Sequence, residues 1–221
     1  MGRTPTLTRR RRPAEKVGAS PIPPPHGPGY PRDVNIPEAI RVSVLQRIAT
    51  LNRSERAVIM RASIIGRRFD TGVLAAIVRC TDASLSAALD HASDLQLIAP
   101  EGSGDRYVFR HALTRDIVYA ELLAARVRPL HRRVGRALER RRAPDTSTLE
   151  ALGYHFWAAG DGKRCLRYNE LAGDNAAAMQ APDDARTFYT RARSVADVDS
   201  LAYARLTRKL AQISGDPQSA L

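Results

Sequence analysis

One short stretch limits the folds open to this chain: Leu97-Ile-Ala99 and Arg106-Tyr-Val-Phe109, joined across Glu101-Gly-Ser-Gly-Asp105. Two apolar runs around a Gly-rich turn predict a β-hairpin. No other segment of the 221 residues reads convincingly as strand. On both sides of the hairpin, apolar residues recur at helical spacing. The expected fold is therefore mainly α, with one small hairpin set among helices. Aromatics are only 5% of the sequence against 43% hydrophobic residues overall, which suits Ala/Leu-rich helices better than a β-sandwich.

Four helices are predicted before the hairpin. Asn35 with Glu38 has the spacing of a capping box, and Pro37 suits a first helical turn. Ile40, Val44, Leu45, Ile48 and Leu51 form the apolar face of that helix. Asn52 and Glu55 repeat the box ahead of Val58, Ile59, Ala62 and Ile65, and Gly66 fits the stop. Asp70 or Thr71 caps a third helix, and Thr81 caps a fourth carrying Leu85, Ala88, Leu89, Ala92 and Leu95. Short helices followed by a hairpin make a winged-helix arrangement, expected over residues 36–125.

Helices continue beyond it. Leu113, Ile117, Val118 and Leu122 mark one, and Val127, Leu130, Val134, Ala137 and Leu138 mark the next. From Thr146 the pattern is of antiparallel helix pairs, broken at Gly160-Asp161-Gly162 and at Ala181-Pro182. The alternation of large and small residues resembles tetratricopeptide repeats, although these breaks fall closer than the roughly 34 residues of a strict repeat. Residues 126–214 are expected to form this repeat-like segment. Residues 1–35, basic and rich in Pro and Gly, and residues 215–221 are expected to be disordered tails.

Charge and cysteine usage exclude several classes. The net charge is +12. The first 35 residues hold seven basic and two acidic residues, which leaves +7 for the body. That same +7 lies within residues 126–142, where eight arginines face Glu139 alone. Cys80 and Cys165 are far apart and lack CxxC spacing, which speaks against a disulfide scaffold or zinc site; both read as small core residues. A reduced, cytoplasmic setting is expected. No run approaches 18 apolar residues, so no membrane span is expected.

Four motifs carry a resemblance. Ile36-Pro-Glu-Ala-Ile40, Leu51-Asn-Arg-Ser-Glu55 and Ile65-Gly-Arg-Arg-Phe-Asp70 lead to Phe109-Arg-His-Ala-Leu113 with Arg115, Val118 and Tyr119. Together they resemble the middle of STAND-type signalling ATPases, the group that holds the large LuxR-family regulators and the cyclase-linked AAA proteins. The resemblance spans about residues 36–195. It implies an ATPase module upstream, a winged helix as connector, and helical repeats that bind protein. This chain has no GxxxxGK[ST] loop and no acidic strand end for magnesium. Without such a loop, strong ATP binding or hydrolysis is not expected. The implied role is a non-catalytic regulatory and scaffold module with no cofactor of its own, working with an ATPase in trans.

The resemblance gives His111 the position of a sensor for the ADP phosphate, a role that needs the ATPase domain. A strand meeting a helix N-terminus there favours anions. Ala112 stands where related switches often have Asp. A second candidate site is the Arg-rich helix. Arg126, Arg128, Arg132, Arg133, Arg136 and Arg140 flank its apolar stripe and would dock an acidic partner or nucleic acid. The alternative function is thus a nucleic-acid-binding transcriptional regulator. Against it, the presumptive recognition helix at 82–95 carries Asp82, Asp90 and Asp94 and no Lys or Arg, so phosphates would repel it. The histidines show no i, i+4 pair and are expected to assemble no metal site, and no catalytic residues are expected.

Overall fold

The computed structural model describes residues 36–102, 105–122, 124–141 and 145–214. The two expected tails, 1–35 and 215–221, lie outside the described residues. The described chain holds ten helices and a small three-stranded antiparallel sheet, so the mainly α expectation holds.

Helix α1 (Glu38–Thr50) begins after Pro37, which occupies the cap position without a side-chain cap bond. Asn35, expected to cap it, lies outside the described residues. Helix α2 (Arg53–Ile65) has the full capping box: Asn52 accepts from the Ser54 and Glu55 amides, and Glu55 accepts from the Asn52 amide at 2.9 Å. Strand β1 (Arg68–Asp70) follows. Asp70 then caps α3 (Thr71–Ile77) through the Val73 amide, and Thr81 caps α4 (Asp82–Asp94) through the Ser84 amide. The hairpin is formed by β2 (Ile98–Glu101) and β3 (Arg106–Phe109).

The sequence predicts a two-stranded hairpin, and the structure adds a third strand. Strand β1 pairs with β3 on the side away from β2, with Phe69 opposite Tyr107. Phe69 is buried and its ring packs 5.9 Å from Tyr107 and 5.7 Å from Phe109. The order α2–β1–α3–α4–β2–β3 with sheet order β1-β3-β2 is that of a winged helix.

Helix α5 (Ala112–Ala120) leaves the sheet and leads to α6 (Ala124–Glu139), α7 (Thr146–Ala158), α8 (Gly162–Ala178), α9 (Pro182–Arg193) and α10 (Leu201–Ser214). One hydrophobic core runs from Val44 and Ile48 on α1, through the winged helix and the α6 stripe Val127/Leu130/Val134, to Phe156 on α7 and Cys165 on α8. A second, smaller core joins α8, α9 and α10 around Phe188, Tyr189 and Leu206.

Helices α7, α8 and α9 follow a shared packing rule. Asn175 bonds Thr146 while Asn169 bonds the Gly153 carbonyl, so α7 and α8 run antiparallel. A Cβ on Gly153 would sit 2.9 Å from Asn169 Oδ1, and one on Gly173 would sit 2.4 Å from the Tyr189 ring. The left-handed turn residues Gly160 (φ 68°) and Gln180 (φ 58°) come seven residues after each glycine. The Asp161 amide bonds the Phe156 carbonyl, and the Ala181 amide bonds the Ala176 carbonyl. The close approach at the glycine, the left-handed turn residue and the amide-to-carbonyl bond each repeat after twenty residues, one helix and one turn. The breaks that fall too close for a strict two-helix repeat are explained by this single-helix step.

Candidate functional site

Two constellations stand out where the winged helix meets the helical segment. The first is a buried polar relay. Arg115 on α5 is only 6% exposed, and its Nε donates to the Ser63 carbonyl of α2 at 2.8 Å. It also meets Asp116 at 3.5 Å, lies 5.2 Å from the centre of the Tyr119 ring, and hydrogen-bonds the Tyr154 hydroxyl of α7. Beside it, Tyr119 Oη stands 3.0 Å from His131 Nε2, and His131 Nδ1 stands 2.8 Å from His155 Nδ1. Both imidazoles are fully enclosed, at 0% and 1% exposure.

One tautomer set satisfies every contact. A backbone bond to Ile65 favours the charged form of His155, so there the ring donates to the Ile65 carbonyl. His155 Nδ1 is then the acceptor and His131 Nδ1 the donor. His131 Nε2 in turn accepts from the Tyr119 hydroxyl. Burial holds both histidines neutral: His155 is pushed down to about 3, first by burial and then by the Arg115 charge, against the Ile65 bond. His131 is driven well below the usual histidine range by burial, His155 and Arg115. His131 and His155 lie on separate helices, α6 and α7, which pack side by side and bring the two rings together. Among the described residues no group of three or more His, Cys, Asp or Glu side chains is placed to hold a metal ion.

The second constellation is the exposed side of α6. Its stripe Val127/Leu130/Val134/Ala137/Leu138 is buried, as its spacing predicts, and Arg126, Arg128, Arg132, Arg133, Arg136 and Arg140 are exposed. They do not act alike. Arg132 turns toward the end of α7 and donates to the Ala159 carbonyl at 3.3 Å. Arg141, just beyond the helix, pairs with Asp70 at 2.7 Å. Arg133, Arg136 and Arg140 line an open cavity of about 280 Å³ together with Ala76, Ile77, Val78 and Arg79 at the end of α3. Arg61 on α2 lies within the field of Arg133, Arg126 and Arg79. Burial and these three cations together lower its affinity for its own proton. The sequence reading missed Arg61 and Arg79, since each is a lone cation on its own element.

His111 sits, as expected, between β3 and α5. It is exposed at the N-cap position and makes no side-chain cap bond. Its neighbours in the motif turn inward instead: Arg115, Val118 and Tyr119 are buried. Cys165 is buried, and its thiol is pushed up to about 12 by that burial. Cys80, read as a core residue, is exposed, because it falls in the link after α3 rather than on its apolar face. On α4, Asp82, Asp90 and Asp94 all face solvent. Among the described residues no single helix is long and apolar enough to cross a membrane.

Compared with protein-family models, curated proteins and solved structures, the chain matches none.

Proposed function

We propose that the chain is a non-catalytic regulatory connector of the kind the STAND resemblance implies. Its winged helix would relay the state of an ATPase supplied in trans, and its helical segment would receive a protein partner. The observation that carries this reading is the continuous core from α1 to α8, pinned at the junction by Arg115, Tyr119, His131 and His155. A contact at the winged helix would be passed to α7 and α8 through this shared core. Two further features support it. The acidic, exposed face of α4 opposes DNA reading by the winged helix. The large exposed apolar side chains of the helical segment, Leu171, Met179, Val195, Val198 and Leu201, give a protein partner surface to bury.

An ATPase module of the resembled class, supplied as a separate polypeptide, tests the proposal. It should bind this chain with an affinity that differs between its ADP and ATP forms, and His111→Ala should reduce that difference. Turnover of ATP by this chain alone, or micromolar nucleotide binding by it, overturns the reading.

A further inference from the structure

Some of the described cations meet an acidic side chain, and six of the arginines that do not are gathered in one place. Arg41 and Arg56 meet Glu121, Arg68 meets Glu101, Arg141 meets Asp70, Arg164 meets Glu139 and Asp161, and Arg205 meets Glu170. Arg61, Arg79, Arg126, Arg133, Arg136 and Arg140 have no acidic partner among the described residues, although they are gathered from α2, the α3–α4 link and α6. The Nη1 of Arg61 donates to the Ala57 carbonyl at 2.7 Å, while its Nε is buried with no partner among the described residues. Like charges held this close repel one another, and folding alone gives no reason to collect them.

Their arrangement is linear. Arg126 and Arg133 on α6 and Arg140 just past its end recur every seven residues, so they form one row, and fourteen residues at helical rise extend about 21 Å. Arg136 flanks the row, and Arg61 and Arg79 close it from the winged-helix side. The surroundings favour one kind of occupant. The cavity walls between the guanidinium groups are Ala76, Ile77 and Val78, and no aromatic residue among the described ones lines it. The exposed large apolar residues lie elsewhere, on α1, on α8 and after it. A folded protein partner needs an apolar anchor at the centre of its interface, and a single strand needs rings on which to stack its bases. Neither is offered here. A row of arginines without either fits regularly spaced phosphates, which guanidinium forks grip in bidentate fashion.

We infer that Arg61, Arg79, Arg126, Arg133, Arg136 and Arg140 form a cradle for the phosphate backbone of duplex nucleic acid, gripped without reading its sequence. This goes beyond the connector role and does not depend on it. It also places the contact on the opposite kind of surface from a winged-helix recognition helix, since α4 is acidic.

Fluorescence anisotropy of the full chain with a labelled mixed-sequence duplex of about 20 base pairs tests it. The affinity should fall steeply with salt, with a log–log slope near 0.9 per phosphate contacted. The triple variant Arg133→Glu/Arg136→Glu/Arg140→Glu should bind on the order of a hundredfold more weakly and with a shallower slope. A charge-matched triple on other faces, Arg47→Glu/Arg53→Glu/Arg208→Glu, should lose far less. Circular dichroism checks that both variants fold. Equal losses in the two triples overturn the inference, as does a cradle triple that binds like the parent chain, which would leave Arg9–Arg12 as the contact. Competition by polyglutamate as effective as by unlabelled duplex also overturns it, since the cradle would then serve carboxylates.

Discussion

His131 Nδ1 and His155 Nδ1 face each other at 2.8 Å inside the junction, and only one of them can carry the proton between them. Protonating either ring fully would turn its acceptor into a second donor. The pair is therefore built for the neutral state. Its folded affinity for protons lies below the unfolded value of about 6.5, so the unfolded chain takes up more protons as the pH falls. The stability this gives is complete above about pH 6.5 and is lost on acidification toward about 3, where His155 itself titrates. By pH 5 the His155 contribution lost should be about 2 kcal/mol. Urea denaturation between pH 7.5 and 5 should show this slope, and a His131→Gln/His155→Gln double variant should flatten it. A parent chain equally stable at both pH values would contradict the relay.

Arg115 holds the junction from the other side. Arg115→Met should strand the Ser63 carbonyl and take the Arg115 guanidinium away from the buried Asp116 carboxylate. Removing one member of a buried pair typically costs about 3–5 kcal/mol. The expected result is a large drop in the urea midpoint. An Arg115→Met/Asp116→Leu double variant should recover part of it. A single variant as stable as the parent would show that Arg115 anchors nothing.

Close approach of helices makes Gly173 the more demanding of the two repeated glycines. Gly173→Ala puts a methyl 2.4 Å from a ring carbon of Tyr189, a side chain held by its bond to Asp174 at 2.6 Å. Overpacking of this kind costs about 1–3 kcal/mol. A double-mutant cycle with Tyr189→Leu should return most of that loss. Additive losses in the cycle would mean that the clash lies elsewhere.

At the far end, Glu170 bridges α8 to α10 through Arg205 at 2.7 Å and Lys209 at 2.9 Å. These cations hold its carboxyl down to about 2, Arg205 most strongly, against partial burial. The contribution is present above about pH 4.5 and fades toward about 2. Screening by solvent limits it, so Glu170→Gln should cost under about 1 kcal/mol globally. Hydrogen exchange should nonetheless rise across α10 and leave α5–α7 unchanged. An increase spread over the whole chain would refute so local a role.

The helices were legible because each has a periodic apolar face and several have their own stop and start residues. Asn52 with Glu55, Asp70 and Thr81 all cap where the sequence puts them. Strand β1 was not legible. Three residues cannot show an alternation, and Arg68–Asp70 becomes a strand only because β3 offers it a partner. The Arg row on α6 could be read from one helix, whereas Arg61 and Arg79 join it only through tertiary packing. His131 and His155 escaped for the same reason. They are twenty-four residues apart, and each alone reads as a polar residue on an amphipathic helix.

Because α7 and α8 each present their successor with the same landing place, the reach of this part of the molecule comes in whole increments. Inserting or deleting one twenty-residue increment would lengthen or shorten the stack while the arginine cradle and the histidine relay kept their places.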